Sequence, residues 1–178
     1  INTATITIDY IEDQNGSFVV TVTANDNAGC ATTADGFNVN ISSVNEAPIT
    51  SVDSITLAEA GTTTITTAGS TNVLSNDSDP DGDNITAQVI GTPVNSSSFS
   101  LQTSGTFSYT HDGSETTTDS FVYRTFDGTD PGNTVTVTIQ ITPVNDCPTI
   151  SSPISDVTVQ EDSADTLINV SSVFEDID

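Results

Sequence analysis

The residues best placed to do chemistry lie in one short segment, Asn76-Asp77-Ser78-Asp79-Pro80-Asp81-Gly82-Asp83-Asn84. Carboxylates at alternate positions, with a glycine that lets the chain turn sharply, are how a loop wraps oxygen ligands around a hard divalent cation such as Ca²⁺. Without a cation, four carboxylates so close together repel one another for no gain. A solvated Asp/Gly turn is the plain structural alternative.

Asp77, Asp79, Asp81 and Gly82 fall in register with the first half of an EF-hand loop. The register fails at its end, where Gln88 stands in place of a bidentate Glu, and Pro80 interrupts the loop. The remaining ligands must come from elsewhere in the fold. Oxygen-bearing residues that stand in suitable places are Glu59, Asp127, Asp130, and Asn45 with Glu46, together with Asp26 near the start and Glu161, Asp162, Asp176 and Asp178 near the end.

Composition points the same way. The chain has 178 residues, with 25 Asp and Glu against one Arg and no Lys, a formal charge of −24. Such a polyanion is repelled by nucleic-acid phosphates and by anionic membranes, so its natural partners are cations. No apolar run approaches the ~18 residues of a membrane-spanning helix, so no membrane insertion is expected in this segment. His111 and Arg124 are single. No Ser or Cys has an evident base partner, so nucleophilic catalysis has nothing to work with and a non-enzymatic protein is expected. The sequons at Asn15, Asn40, Asn76, Asn84, Asn95 and Asn169 do not establish glycosylation, because a chain with 54 Ser and Thr produces several by chance.

The elements that must hold these acids are strands. Ala4-Thr5-Ile6-Thr7-Ile8, Phe18-Val19-Val20-Thr21-Val22 and Val135-Thr136-Val137-Thr138-Ile139-Gln140-Ile141 alternate with period two, as half-buried strands do. Outward-facing Thr suits a strand and carries no charge, which leaves the acids to the turns. Residues 38–48 recur as residues 138–148, at a spacing of 100. That period fits one immunoglobulin-sized β-sandwich of about seven strands.

The reading is therefore all-β: tandem Greek-key sandwiches in an extended rod. Residues 1–47 form the back of one, 48–147 a whole one, and 148–178 the front of a third. Strands are expected near 54–57, 62–66, 85–91, 99–102, 106–110, 120–125 and 135–142. Leu57, Ile65, Val73, Leu74, Val89, Phe99, Leu101, Phe107, Tyr109, Phe121, Tyr123, Val135, Val137 and Ile139 form the expected core. Neither terminal piece has enough strands to cover its apolar face. Either the chain belongs to a longer array, or the ends of neighbouring copies complete one another.

Several segments together carry a resemblance. The Val73-to-Asp83 loop, Gly105-Thr106-Phe107-Ser108-Tyr109-Thr110, Asp119-Ser120-Phe121-Val122-Tyr123, Phe126-Asp127-Gly128 and the closing Val144-Asn145-Asp146-x-Pro148 resemble the cadherin-like tandem repeats of very large bacterial surface and secreted proteins. Residues 1–48 and 149–178 resemble the back and front of the related dystroglycan-type module. The resemblance implies Ca²⁺ at domain junctions. It places Asn45 and Glu46 with Asp77, Asp79, Asp81, Asp83 and Asp127 at the first junction, and Glu59, Asn145 and Asp146 with Asp176 and Asp178 at the second. Asp26 is the corresponding acid of the first piece. Two departures stand out: Glu46 replaces the usual linker Asp, and the linkers are short. The implied protein is a non-catalytic, calcium-stiffened stalk at the cell surface or secreted, with neighbouring repeats or copies of itself as partners. Self-assembling filament subunit and accessory module of a secreted enzyme are the alternatives.

Cys30 and Cys147 lie too far apart along such a rod for a bridge within one chain, which needs Cα atoms within ~7 Å. A bridge between chains or repeats fits better, with two unrelated thiols as the alternative.

Overall fold

The computed structural model describes residues 5–9, 11, 14–25, 28–29, 31–33 and 36–177. The N-terminal piece contains β1 (Gly16–Val20), β2 (Thr23–Asn25), β3 (Ala31–Thr33) and β4 (Phe37–Ile41). β1 pairs antiparallel with β4, and β2 with β3.

Seven strands then build the central unit: β5 (Ser54–Ala58), β6 (Thr62–Thr63), β7 (Thr86–Gly91), β8 (Ser96–Leu101), β9 (Phe107–His111), β10 (Thr118–Phe126) and β11 (Pro131–Thr142). One sheet has the order β5-β11-β10-β7 and the other β6-β9-β8. The first strand, β5, runs parallel to the last, β11, with Ser54 opposite Thr138 and Ala58 opposite Thr142. Every other pairing in the unit is antiparallel.

The core is what the alternation dictates. On β11, Val135, Val137, Ile139 and Ile141 are buried while Thr134, Thr136, Thr138 and Gln140 face solvent. Phe121 of β10 meets Phe99 and Phe107 of the opposite sheet, with ring centroids 4.8 Å and 6.2 Å apart, and Tyr123 lies beside Phe121 on the same strand at 6.5 Å. Tilted rings at such spacings interlock the two layers. A 3₁₀ turn, Val73–Asn76, plugs one end with buried Val73, and Asn72 caps it by accepting the Leu74 N–H. Gly105, at φ +85°, lies where a Cβ would strike the Asn72 and Leu74 side chains.

Of the expected core residues, Leu57, Leu74, Phe99 and Leu101 are partly buried against the core, and two others are exposed. Ile65 is half exposed because β6 ends at Thr63 and Ile65 sits in the turn beyond it. Val89 is 41% exposed: it lies on edge strand β7, where the register with β10 slips between Val122 and Tyr123. Conversely, Ile55, Ala87, Ile141 and the polar Thr50, Thr125 and His111 are buried.

Beyond the sandwich, β12 (Thr149–Ile150) pairs with β13 (Phe174–Glu175). Leu167, Phe174 and Ile150 there are 95%, 64% and 67% exposed, and Phe18 and Phe37 of the N-terminal piece are 43% and 46% exposed. Among the described residues no helix is long and apolar enough to cross a membrane.

Candidate metal centre

Strands end at two poles, and the carboxylates gather there. At the first pole the loop between the 3₁₀ turn and β7 brings Asp79, Asp81 and Asp83 together, with one carboxylate oxygen from each within 4.8 Å of the others. Two oxygens that share a Ca²⁺ at about 2.4 Å stand at most about 4.8 Å apart, so one ion can touch all three. The loop holds this shape from within: Asp79 Oδ1 accepts the N–H groups of Asp81 (2.9 Å) and Asp83 (3.2 Å), and Gly82 turns at φ +78°. The other oxygen, Asp79 Oδ2, is buried and has no hydrogen-bond partner among the described residues. An orphaned buried carboxylate oxygen is costly unless something positive meets it.

The linker is tied to the same place. Glu46 N–H donates to Asp81 Oδ2 at 2.8 Å. Asn45 Nδ2 donates to Asp127 Oδ2 and Asp130 Oδ2, both at 3.0 Å. Asp127 Oδ1 accepts the Thr129 and Asp130 N–H groups; these bonds, the Thr129 one foremost, hold its carboxyl below the usual range. Asn15, Ser43, Val44, Asn45, Asp81 and Asp83 line a polar cavity of about 270 Å³ between the N-terminal piece and the sandwich. An all-oxygen donor set with an unsatisfied buried oxygen fits Ca²⁺, and Asp79, Asp81 and Asp83 are the residues that would hold it.

Asp77 takes a different course. Its Oδ1 accepts the Ser51 N–H at 2.7 Å and its Oδ2 the Tyr123 hydroxyl at 3.1 Å. The same hydroxyl lies 3.2 Å from Asp53 Oδ2 and 3.1 Å from the Val73 carbonyl. Burial pushes Asp53 up to about 6, with the neighbouring Asp77 charge adding to it, and burial raises Asp77 as well. Burial and these two carboxylates push the Tyr123 phenol far up. Asp53 escapes sequence reasoning because a lone Asp before a strand looks like any turn residue.

At the second pole Glu59, Asp146 and Glu115 bring carboxylate oxygens within 4.8 Å of one another. Glu59 is 9% exposed, its Oε2 accepts the Val144 N–H at 3.1 Å, and its own N–H donates to the Thr142 carbonyl. Glu115 was not among the expected residues. It sits in the β9–β10 loop, and only the topology, which ends that loop beside β5 and the outgoing linker, could have pointed to it. Asn145 Nδ2 donates to the Asp146 carbonyl at 2.7 Å. Asp176 is exposed beside Glu175, which with Asp146, Cys147, Thr149 and Ile177 lines a further cavity of about 510 Å³. Cys147 is exposed with a free thiol. Asp26, Cys30 and Asp178 lie outside the described residues, so the expected Asp26 and Asp178 ligands and the Cys30 bridge are not placed.

A two-layer sandwich closed by parallel pairing of its first and last strands, with acids at its ends, defines a structural module. The sequence matches the bacterial cadherin-like domain over residues 45–143, more than half of the chain, and the protein belongs to that family. No curated protein matches it.

Proposed function

We propose that this chain is part of a calcium-stiffened stalk in an extracellular adhesin or surface fibre, exposed on the cell or secreted. The observation that carries the reading is the first pole, where Asp79, Asp81 and Asp83 converge and the linker residues Asn45 and Glu46 bond to the same group of loops. A cation there neutralises the loop and ties it to the incoming linker, so that a hinge between modules becomes a rigid joint. Residues 1–47, 48–147 and 148–178 are successive modules. Glu59, Asn145 and Asp146, with Glu115 and the downstream Asp176 and Asp178, form the second joint. The function lies in reach and stiffness, with no catalytic step.

The test is a thermal melt with excess chelator, followed by Ca²⁺ back-titration, on the chain and on an Asp79→Asn/Asp81→Asn/Asp83→Asn variant. A Ca²⁺-restored rise in Tm that the variant lacks supports the reading. Equal melts with and without Ca²⁺ overturn it.

The exposed Phe18, Phe37, Leu167 and Phe174 support a second reading, in which the end pieces of neighbouring copies cover one another and build a filament. It predicts concentration-dependent association in sedimentation. A monomer at high concentration removes it.

A further inference from the structure

His111 is the single histidine of the chain and ends β9 with 2% of its surface exposed. Its Nδ1 faces two backbone donors, the N–H groups of Ala60 (3.2 Å) and Gly113 (3.3 Å). Two N–H groups aimed at one ring nitrogen require that nitrogen to be bare. The ring proton therefore sits on Nε2, an assignment made from this geometry, and is donated to Thr116 Oγ1 at 3.0 Å. Thr116 Oγ1 lies 3.0 Å from Ser114 Oγ, which donates to Asp112 Oδ1 at 2.7 Å. The hydroxyls thus pass the bond direction on to a carboxylate, and the Ser114 hydroxyl is the main reason that Asp112 is held below its usual range.

What the ring ties together matters. Ala60 is a non-glycine residue in the left-handed region, φ 52°, a conformation that persists only where its surroundings impose it. It directly follows Glu59, and Thr116 directly follows Glu115. One buried ring therefore fastens two turns that each carry a carboxylate of the second pole, and Glu59 in turn holds the outgoing linker at Val144. We propose that neutral His111 is the positioning residue of the second pole, and that protonating it releases both turns together. A proton on Nδ1 would point at the Ala60 and Gly113 N–H groups, so both bonds are lost in one step. The charged group facing the ring is Asp112, 3.6 Å from Nε2. Ser96, opposite it on β8, and Thr62–Thr63 of β6 bring no charge, and Tyr109, two residues back, bonds Asp119 on β10. The effect on cation binding rests on the second pole being a cation site, whereas the effect on the turns does not.

A lone histidine makes the test direct. In chelator, NMR of the unmodified chain should show the Nε2–H tautomer wherever the ring is neutral. On acidification the Ala60 and Gly113 amide signals should move with the same midpoint as the ring. An Nδ1–H tautomer, or amides indifferent to the ring's titration, overturns the proposal. Ca²⁺ titration, followed at the Val144 and Asp146 amides and at Asp81 and Asp83 for comparison, gives the second readout. His111→Phe, which keeps a ring and loses both bonds, should weaken binding at the second pole about tenfold or more and leave the first unchanged. His111→Asn, whose Oδ1 can accept at the Nδ1 position, should restore much of it. Equal weakening in both variants overturns the positioning role. If Ca²⁺ moves neither Val144 nor Asp146 while the amides still follow the ring, the cation reading of that pole fails and the positioning of the turns is upheld.

Discussion

Tyr123→Phe isolates one atom whose surroundings make an unusual demand. The Tyr123 oxygen lies within 3.4 Å of four acceptors, the Ser51 and Val73 carbonyls and the Asp53 and Asp77 carboxylates, yet it has one proton to give. Removing it leaves two half-buried carboxylates facing each other with no proton between them. Loss of a bond to a charged acceptor costs about 2 kcal/mol, and a domain of ~100 residues then melts about 10 °C lower. The pH dependence distinguishes this from simple loss of packing. Burial pushes the Asp53 carboxyl up to about 6 in the fold, from 3.8 when free in water. The folded state therefore holds the proton more tightly than the unfolded one, and stability is gained as pH falls from about 6 towards 4 and is absent above 6. At face value that interval is ~3 kcal/mol, and with half of the carboxyl still facing water about 1 to 2 kcal/mol is realistic. Below pH 6 a protonated Asp53 can donate to Asp77 in place of the missing hydroxyl. The variant should therefore lose about twice as much Tm at pH 7.5 as at pH 5, measured calorimetrically in chelator. An equal loss at both pH values would refute the argument that a shared proton holds this pair.

Gly105→Ala should destabilise by more than the roughly 1–2 kcal/mol that a non-glycine residue loses in the left-handed region, because the new Cβ meets Asn72 and Leu74; denaturant midpoints will report it. Ile139→Ala, at 1% exposure, should cost about 2 to 5 kcal/mol with an unchanged denaturant slope. Asn45→Ala removes the donor between the linker and Asp127 and Asp130; amide exchange at residues 44–47 should accelerate, while exchange in β10 and β11 stays as it was.

The fold was legible where a strand repeats with period two. Val135 to Ile139 could be assigned an inward and an outward face from the letters alone, and so could Phe121 and Tyr123. The phase fails where an element stops early or slips, as at Ile65 and Val89, because a bulge or a two-residue strand leaves no trace in hydrophobicity. The site was legible to the extent that it is local. Asp79, Asp81 and Asp83 are neighbours in sequence and in space, whereas Glu115 reaches Glu59 and Asp146 only through the topology. Asp77 has the same spacing as its neighbours yet turns inward to Ser51 and Tyr123, a choice set by a tyrosine 46 positions away. His111 and Thr125 are buried polar residues whose partners are backbone groups and hydroxyls of turns and connecting segments, and single-sequence patterns do not reveal those.

The parallel pairing of β5 with β11 has a mechanical meaning. The chain enters at one end of this strand pair and leaves at the other, so tension applied through the two linkers pulls the strands past each other lengthwise. The bonds from Ser54 to Ala58 then share the load at once, and the module resists pulling as a lap joint does, instead of peeling open like a zip.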